Sequence, residues 1–325
     1  MTTHIPVMLH ETVDAIGPRM GDCVIDGTYG AGGHSALVLE RIGKNGKLLA
    51  LDWNEHAVRG CAERYAEDSR VTCAVGNFAE MPHIARLSLF PKADGVILDL
   101  GISSDELEHS GRGFTFQEDE PLLMTYNDSD ERVTDILKSV SEEDLAAIIR
   151  TYGEERYAAR IARAIKQKMP VETTKQLAEI ITHALPNQGK KYRIHPATRT
   201  FMALRIYANR ELENLERAIG TMPQVIAPGG RMAIISFHSL EDRIVKRRFR
   251  ELAKEGTVTL ITKKPIIPTE EEVKRNPRSR SAKLRACIIN PPILSTKNYP
   301  PCKQPVSTRS RRDGREAGQL KTSSI

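Results

Sequence analysis

The sequence predicts an α/β fold, a parallel sheet covered by helices and interrupted by an inserted helical domain. Three observations predict it. Short apolar runs alternate with segments of helical spacing as far as residue 100. A fifth buried run, Arg231-Met232-Ala233-Ile234-Ile235-Ser236-Phe237, follows Pro228-Gly229-Gly230 only after about 130 residues, whereas a strand–helix–strand crossover needs ~30. The intervening stretch reads as helix. Residues 23–26, 47–52, 71–75 and 95–100 are the first four expected strands. Ala57, Val58, Cys61 and Tyr65 have the spacing of a helix between the second and third. In the gap, Ser141-Glu142-Glu143-Asp144 opens a helix carrying Leu145, Ile148, Ile149 and Tyr152 on one face, which Gly153 ends. Ile161 and Ile165 mark the next helix. Thr173 and Gln176 cap another, with Leu177, Ile180, Ile181 and Ala184 along it. A polar loop spans 186–193, and one long helix from about Ala197 is expected to lead back to the fifth strand. Val258–Thr262 and Leu284–Ile289 predict a closing antiparallel pair. Beyond Pro300 the composition is that of disorder. The expected division is 1–107 and 206–300 for the two parts of the sheet domain, 108–205 for the helical insert and 301–325 for a basic tail.

With 325 residues, 40% hydrophobic and 28% charged, the composition is that of a soluble globular protein. No run approaches the ~20 apolar residues that span a bilayer, so no membrane association is expected. The start, Thr2-Thr3-His4-Ile5-Pro6, lacks a basic-then-apolar signal pattern, which predicts a cytoplasmic location. Cysteines 23, 61, 73, 287 and 302 form no C-x-x-C pair, and the expectation is buried free thiols, neither disulfides nor zinc ligands. Charge is concentrated late in the chain. Lys274–Arg285 holds six basic and no acidic residues, and Lys303–Ile325 six basic against two acidic. With a total of +6, the remainder is net acidic. Basic runs interleaved with Ser, Pro and Asn commonly meet phosphate backbones.

The richest stretch is Asp26-Gly27-Thr28-Tyr29-Gly30-Ala31-Gly32-Gly33-His34, set between the first strand and the helix-like Ser35–Leu39. Strand, glycines, then helix start is the geometry that lets backbone approach a nucleotide-like ligand. It is not G-x-G-x-x-G, because the third glycine would fall at Ser35. An acid followed by G-x-G resembles instead the first motif of S-adenosyl-L-methionine (AdoMet) methyltransferases. Lys47–Asp52 ends in an acid placed to accept ribose hydroxyls, which points to an adenosine-type ligand without separating AdoMet from NAD. Ligands of open α/β sheets bind beyond the carboxyl ends of the strands, where Asp26, Asp52 and Asp99 would converge. Phe78 could wall an adenine, and Asp99-Leu100-Gly101-Ile102-Ser103-Ser104 stands where amino-methyltransferases keep a short polar motif. His238, Ser239 and Asp242 lie too close in sequence to form a hydrolase triad; Ser239 with Asp242 reads better as a helix N-cap.

Taken together, these strings resemble the RsmH (MraW) family. The resemblance also rests on His4-Ile5-Pro6-Val7-Met8, Arg112-Gly113-Phe114-Thr115-Phe116, Tyr152-Gly153-Glu154-Glu155-Arg156, His195-Pro196-Ala197-Thr198-Arg199-Thr200-Phe201, Ile235–Arg243 and Asn276–Arg285, and covers roughly residues 4–290. It implies a class I AdoMet-methyltransferase (Rossmann-like) sheet and transfer of methyl to the exocyclic N4 of a cytidine in the decoding region of small-subunit (16S) ribosomal RNA, with AdoMet as donor and no metal. It implies donor contacts at Gly32, Gly33, His34, Asp52, Phe78 and Asp99. The catalytic acceptor for an amine hydrogen is expected to be Asp99, or backbone and hydroxyl groups of 101–104. Arg278, Arg280 and Lys283, and on the insert Arg199, are the expected RNA contacts, joined by Lys190, Lys191, Arg193 and Arg205 as candidates. The partner is 16S ribosomal RNA, within the small ribosomal subunit; a homodimer is left open. The chain departs from the family pattern twice. Asp105-Glu106 replaces Pro-Gln, and Glu120-Pro121-Leu122-Leu123-Met124-Thr125-Tyr126-Asn127 replaces Gly-Pro-Leu-Asp-Met-Arg-Met-Asp. A ribosomal RNA-binding assembly factor with weak or no methyl transfer is the rival reading. A nicotinamide dehydrogenase is disfavoured by the missing third glycine.

Overall fold

The computed structural model describes residues 5–102, 107, 110–127, 131–186 and 194–291. Ser103, Ser104, Asp105, Glu106, Lys190, Lys191, Arg193 and the 301–325 tail lie outside them. The strands are β1 (Cys23–Asp26), β2 (Lys47–Asp52), β3 (Val71–Val75), β4 (Ala93–Asp99), β5 (Ile226–Ser236), β6 (Val258–Leu260) and β7 (Lys283–Ile289). They form one sheet in the order β3-β2-β1-β4-β5-β7-β6. The first five strands are parallel, and β7 runs antiparallel between β5 and β6. The expected closing pair is therefore real, with its second strand nearer the sheet centre.

Side chains on a strand alternate between faces, so a doubly covered sheet needs near-continuous apolar strands. Val24, Leu48, Ile97 and Ile235 point to one face, against Val13 and Ile16 of α1 (Leu9–Ile16) and Val38 and Ile42 of α2 (Gly33–Ile42). Ile25, Leu49, Leu98 and Ile234 point to the other, against later helices. The chain leaves β1 toward β2 and β3, then returns to β4 and β5 on the opposite side. The reversal opens a crevice beyond the carboxyl ends of β1 and β4.

Between β2 and β4 lie α3 (Glu55–Arg64) and α4 (Met81–Leu87). The helix α3 packs beside β3 closely enough for a Cys61–Cys73 disulfide, with Cα atoms 6.2 Å apart. This corrects the expectation of free thiols: sequence spacing hides a pair that a helix–strand contact brings together. Cys23 and Cys287 are free, and burial pushes the Cys287 thiol up to about 12.

After β4 come α5 (Val133–Ser139), α6 (Glu142–Gly153), α7 (Ala158–Gln167), α8 (Thr174–Ala184), α9 (Thr198–Ala208) and α10 (Glu211–Thr221). Leu137, Leu145, Ile149, Ile161, Leu177 and Leu204, with others, form a core separate from the two faces of the sheet. Ser141 caps α6 by accepting from the Asp144 amide, and Thr173 with Gln176 makes a capping box on α8. The long helix expected from Ala197 is two helices. Arg210 takes a left-handed conformation, φ 49°, between α9 and α10. Asn209 holds the break: its buried side-chain amide donates to the Met124 carbonyl at 2.8 Å and accepts from the Tyr126 amide at 3.2 Å. A buried polar group with tertiary partners thus overrides helical periodicity.

The chain then forms β5, α11 (Ser239–Lys254), β6, α12 (Glu270–Arg275) and β7. The cap of α11 is His238, whose Nδ1 accepts from the Glu241 amide while Glu241 bonds back. This replaces the expected Ser239–Asp242 cap. Ser239 Oγ instead donates to Glu154 at 2.6 Å, and Asp242 pairs with Arg285 at 2.7 Å and Lys283 at 3.1 Å. Among the described residues no helix is long and apolar enough to cross a membrane.

Candidate active site

A cavity of about 360 Å³ occupies the crevice. Its floor is the turn after β1. Gly32 is left-handed, φ 75°, immediately before α2, and a Cβ there would fall 2.4 Å from the Tyr29 ring oxygen. It shapes the turn and is not part of the cavity wall, unlike Gly33, which is. A Cβ on Gly33 would lie 2.1 Å from Pro6, so only glycine lets the segment 5–8 cross so closely.

That segment forms the roof. The Val7 carbonyl accepts from His34 Nε2 at 3.1 Å, the Met8 amide donates to Glu272 at 2.7 Å, and Asn276 donates to the Ile5 carbonyl at 3.1 Å. Residues 5–8 are thereby strapped to α12 and the basic turn that follows it. Because a carbonyl can only accept, the His34 Nε2 bears the proton, and Nδ1 faces Asp99 Oδ2 at 3.9 Å.

Asp52, at the end of β2, is oriented by two amides, Gly30 to Oδ2 at 2.7 Å and Asn54 to Oδ1 at 2.8 Å. Its place at the carboxyl end of β2 is the one from which an acid accepts ribose hydroxyls. Asp26 is buried. It accepts from Ser35 Oγ at 2.7 Å and the Thr28 amide at 3.2 Å, and burial nevertheless pushes it up to about 6. Asp99 is also raised to about 6, by burial first; His34 opposes the shift and Asp26 adds to it. Thr28 Oγ1 accepts from the Asp99 amide at 2.6 Å, tying the glycine turn to β4. The Gly101 amide also lowers the Asp99 value, yet Asp99 Oδ1 is buried with no hydrogen bond of ordinary geometry among the described residues. An unsatisfied buried acceptor is costly and calls for an occupant.

Phe78 lines the cavity, as does Arg278 at the rim. Arg280 is exposed on the same turn. Lys283 and Arg199 are already engaged: Lys283 with Asp242, and Arg199 with Glu155 at 3.6 Å. Arg205, a candidate RNA contact, is committed to Glu211 through two bonds of 2.7 and 2.9 Å.

Several wall residues escape the sequence reading, among them Trp53, Tyr126 and Asn214. Trp53 follows the acid of β2 directly, a position that could have flagged it. Tyr126 stands where the family pattern has methionine and is brought in by the insert. Its segment holds without the aspartate and arginine of the pattern. Arg112 donates to the Thr125 carbonyl at 2.6 Å and hydroxyl at 3.0 Å, and the Met124 amide returns to the Arg112 carbonyl at 2.7 Å.

Glu211, His238 and Glu241 place one ligand-type atom each within 4.8 Å of one another, a group that sequence spacing did not show. Both Glu211 oxygens face Arg205, and His238 Nδ1 accepts a backbone bond, so its proton sits on Nε2, 3.2 Å from Glu241. A cation would have to displace both the guanidinium and that proton.

A ligand carrying positive charge at a sulfonium and an ammonium, with a ribose and a flat base, suits this mixture of backbone floor, buried carboxylates and aromatic wall. Together with the strand order, it defines the class: a Rossmann-like class I AdoMet-dependent methyltransferase. The particular group follows from comparison with known proteins. The model of the MraW methylase family matches residues 1–289, and the chain belongs to that family. A relative named ribosomal RNA small subunit methyltransferase H, from Koribacter versatilis, is 45% identical over 295 residues, covering 87% of this chain and 93% of its own length. One of the same name from Syntrophus aciditrophicus is 44% identical over 302 residues, covering 87% and 96%.

Proposed function

We propose that the protein transfers methyl from AdoMet to the exocyclic N4 of a cytidine in the decoding region of 16S ribosomal RNA, acting on the small subunit in the cytoplasm. The observation that carries this reading is the unsatisfied Asp99 Oδ1 beside the donor cavity. AdoMet supplies an already activated methyl group. What the chain must do is align an amine with it and accept an amine hydrogen as the nitrogen becomes tetrahedral.

Asp99 is held for that task by Thr28 at its amide and bordered by His34. Gly33, Asp52 and Phe78 line the donor, while Gly32 sets the turn that presents them. The target base reaches the cavity unpaired, and Arg278 and Arg280 meet the phosphates beside it. Lys283 and Arg199 serve this reading less directly, since each orients a carboxylate.

The test is incubation with methyl-labelled AdoMet and unmodified small subunits, followed by digestion to nucleosides. Label in N4-methylcytidine is expected. Label in another nucleoside would overturn the position. No transfer by protein that binds AdoMet would favour the assembly-factor reading.

A further inference from the structure

A second, larger hollow of about 1420 Å³ adjoins the donor cavity and shares Trp53, Tyr126 and Asn214 with it. It lies between the ends of β2 and β3 and the face of the insert carrying Tyr152 and Tyr207. We propose that the Trp53–Tyr126 ring pair is a stacking platform for a nucleotide flanking the methylated base, with the single strand running along this groove. The inference rests on the RNA reading above and names where that RNA lies.

Three observations support it. First, the rings form a ladder. Trp53 and Tyr126 have centroids 5.4 Å apart, and Tyr126 stacks on Phe114 at 5.3 Å and 29°. Phe114 is buried in the core of the insert, so the ladder is anchored at one end, while Trp53 and Tyr126 stay half-buried at the other. Aromatic rings presented rigidly on a wall bind bases at small entropic cost.

Second, the platform faces both hollows. The donor occupies the smaller one, of about 360 Å³. A strand that presents one base at its mouth and continues into the larger hollow passes the shared wall.

Third, the groove is charge-balanced. Arg59, Arg112, Arg210 and Arg217 line it together with Glu55, Glu80, Glu131 and Glu213. Coulomb attraction to phosphate is therefore weak here, unlike at the 274–285 run, and any nucleic-acid affinity must come from ring faces. The exposed Tyr207, tilted against Tyr152 with centroids 6.2 Å apart, offers a further ring along the same path. A protein partner would be expected to seek an apolar groove, which this is not.

Trp53 is the sole tryptophan of the chain, so its emission reports the platform directly. The protein is saturated with S-adenosylhomocysteine, and a labelled oligocytidylate is titrated in. Binding is followed by anisotropy of the label and, in parallel, by tryptophan fluorescence. Quenching that tracks binding is expected. Base–aromatic stacking is worth about 1–3 kcal/mol per base, so Tyr126→Ala should weaken RNA affinity roughly 5- to 150-fold. Its salt slope should be unchanged, and Tyr126→Phe should stay within about twofold, because the ring face is kept. Arg278→Ala should instead lower the salt slope by about one.

RNA binding that leaves Trp53 emission unmoved overturns the proposal. So does a Tyr126→Ala protein that binds oligocytidylate as the wild type does, or one that loses donor affinity equally. Absence of wild-type affinity for oligocytidylate also overturns a sequence-tolerant platform. The methylation reading stands or falls separately, on the label appearing in N4-methylcytidine.

Discussion

The two adjoining hollows are built on different principles. The donor cavity is made largely of short consecutive stretches: the turn from Gly27 to His34, the strand ends at Asp52 and Asp99, and the 5–8 strap. Backbone and carboxylates do most of its work. The groove is assembled from α3, the end of β3, the 110–127 segment and the break between α9 and α10, and rings and paired charges line it. A site made of main chain tolerates little change in shape, whereas one made of side chains can be retuned residue by residue. The altered 120–127 segment contributes Tyr126 to both hollows, and Arg112 holds it through the Thr125 carbonyl and hydroxyl.

Substitutions can break this contrast or sharpen it. The largest effect is expected for Asp99→Asn, which replaces the basic carboxylate by a neutral amide while keeping the shape. Turnover should fall on the order of 10²–10⁴-fold, the usual worth of a positioned acid or base. AdoMet affinity, by calorimetry, should change far less; an equal loss of binding would reduce Asp99 to a donor ligand. Next is Tyr126→Ala, whose loss of RNA affinity should exceed its loss of donor affinity.

Gly33→Ala is the mirror case. The Cβ meets Pro6, and overpacking of this kind costs about 1–3 kcal/mol. Stability should fall by that amount, and donor affinity should drop as the strap is pushed from the cavity, while oligocytidylate affinity holds. Equal losses for both ligands would erase the distinction between the hollows.

Acid should act on the cavity alone. Asp26 and Asp99 are raised to about 6, so the carboxylate that accepts a hydrogen forms as pH rises through that value. Turnover should climb between about pH 5 and 7 and then level, with one macroscopic profile shared by the two interacting acids. Asp26→Asn should move the midpoint down, since it removes a neighbouring negative charge. For stability the sign is opposite. A carboxyl raised in the folded state stabilises most below its unfolded value near 3.9, and that contribution disappears as pH rises through about 6. The ligand-free protein should therefore lose thermal stability across this window from these two groups, read by melting at each pH.

The smallest effect is expected for Thr173→Ala on α8. Loss of the cap should cost about 1 kcal/mol of stability and leave both ligand affinities alone.

Much of the cavity wall was legible because its determinants are local. A strand followed by glycines and a helix start can be read in nine residues, and the acid closing β2 lies at the end of the next strand. The caps at Ser141 and Thr173 were legible for the same reason. Tyr126, by contrast, acquires meaning only when Asn209 pins its segment across the break at Arg210. Nothing within a helical repeat announces that break. The Cys61–Cys73 bridge was hidden likewise, because the packing of α3 on the sheet, not spacing along the chain, decides it. Basic residues were the least legible. Arg278 and Lys283 look equivalent in one run, yet one reaches the cavity rim and the other is committed to Asp242.

The strap over the cavity ties residues 5–8 to Glu272 and Asn276, separated by more than 260 positions. On a translating ribosome the glycine turn and the strand-end acids emerge early, but their roof has nothing to fasten to until α12 has left the exit tunnel. Closure of that roof is thus among the last contacts open to the growing polypeptide.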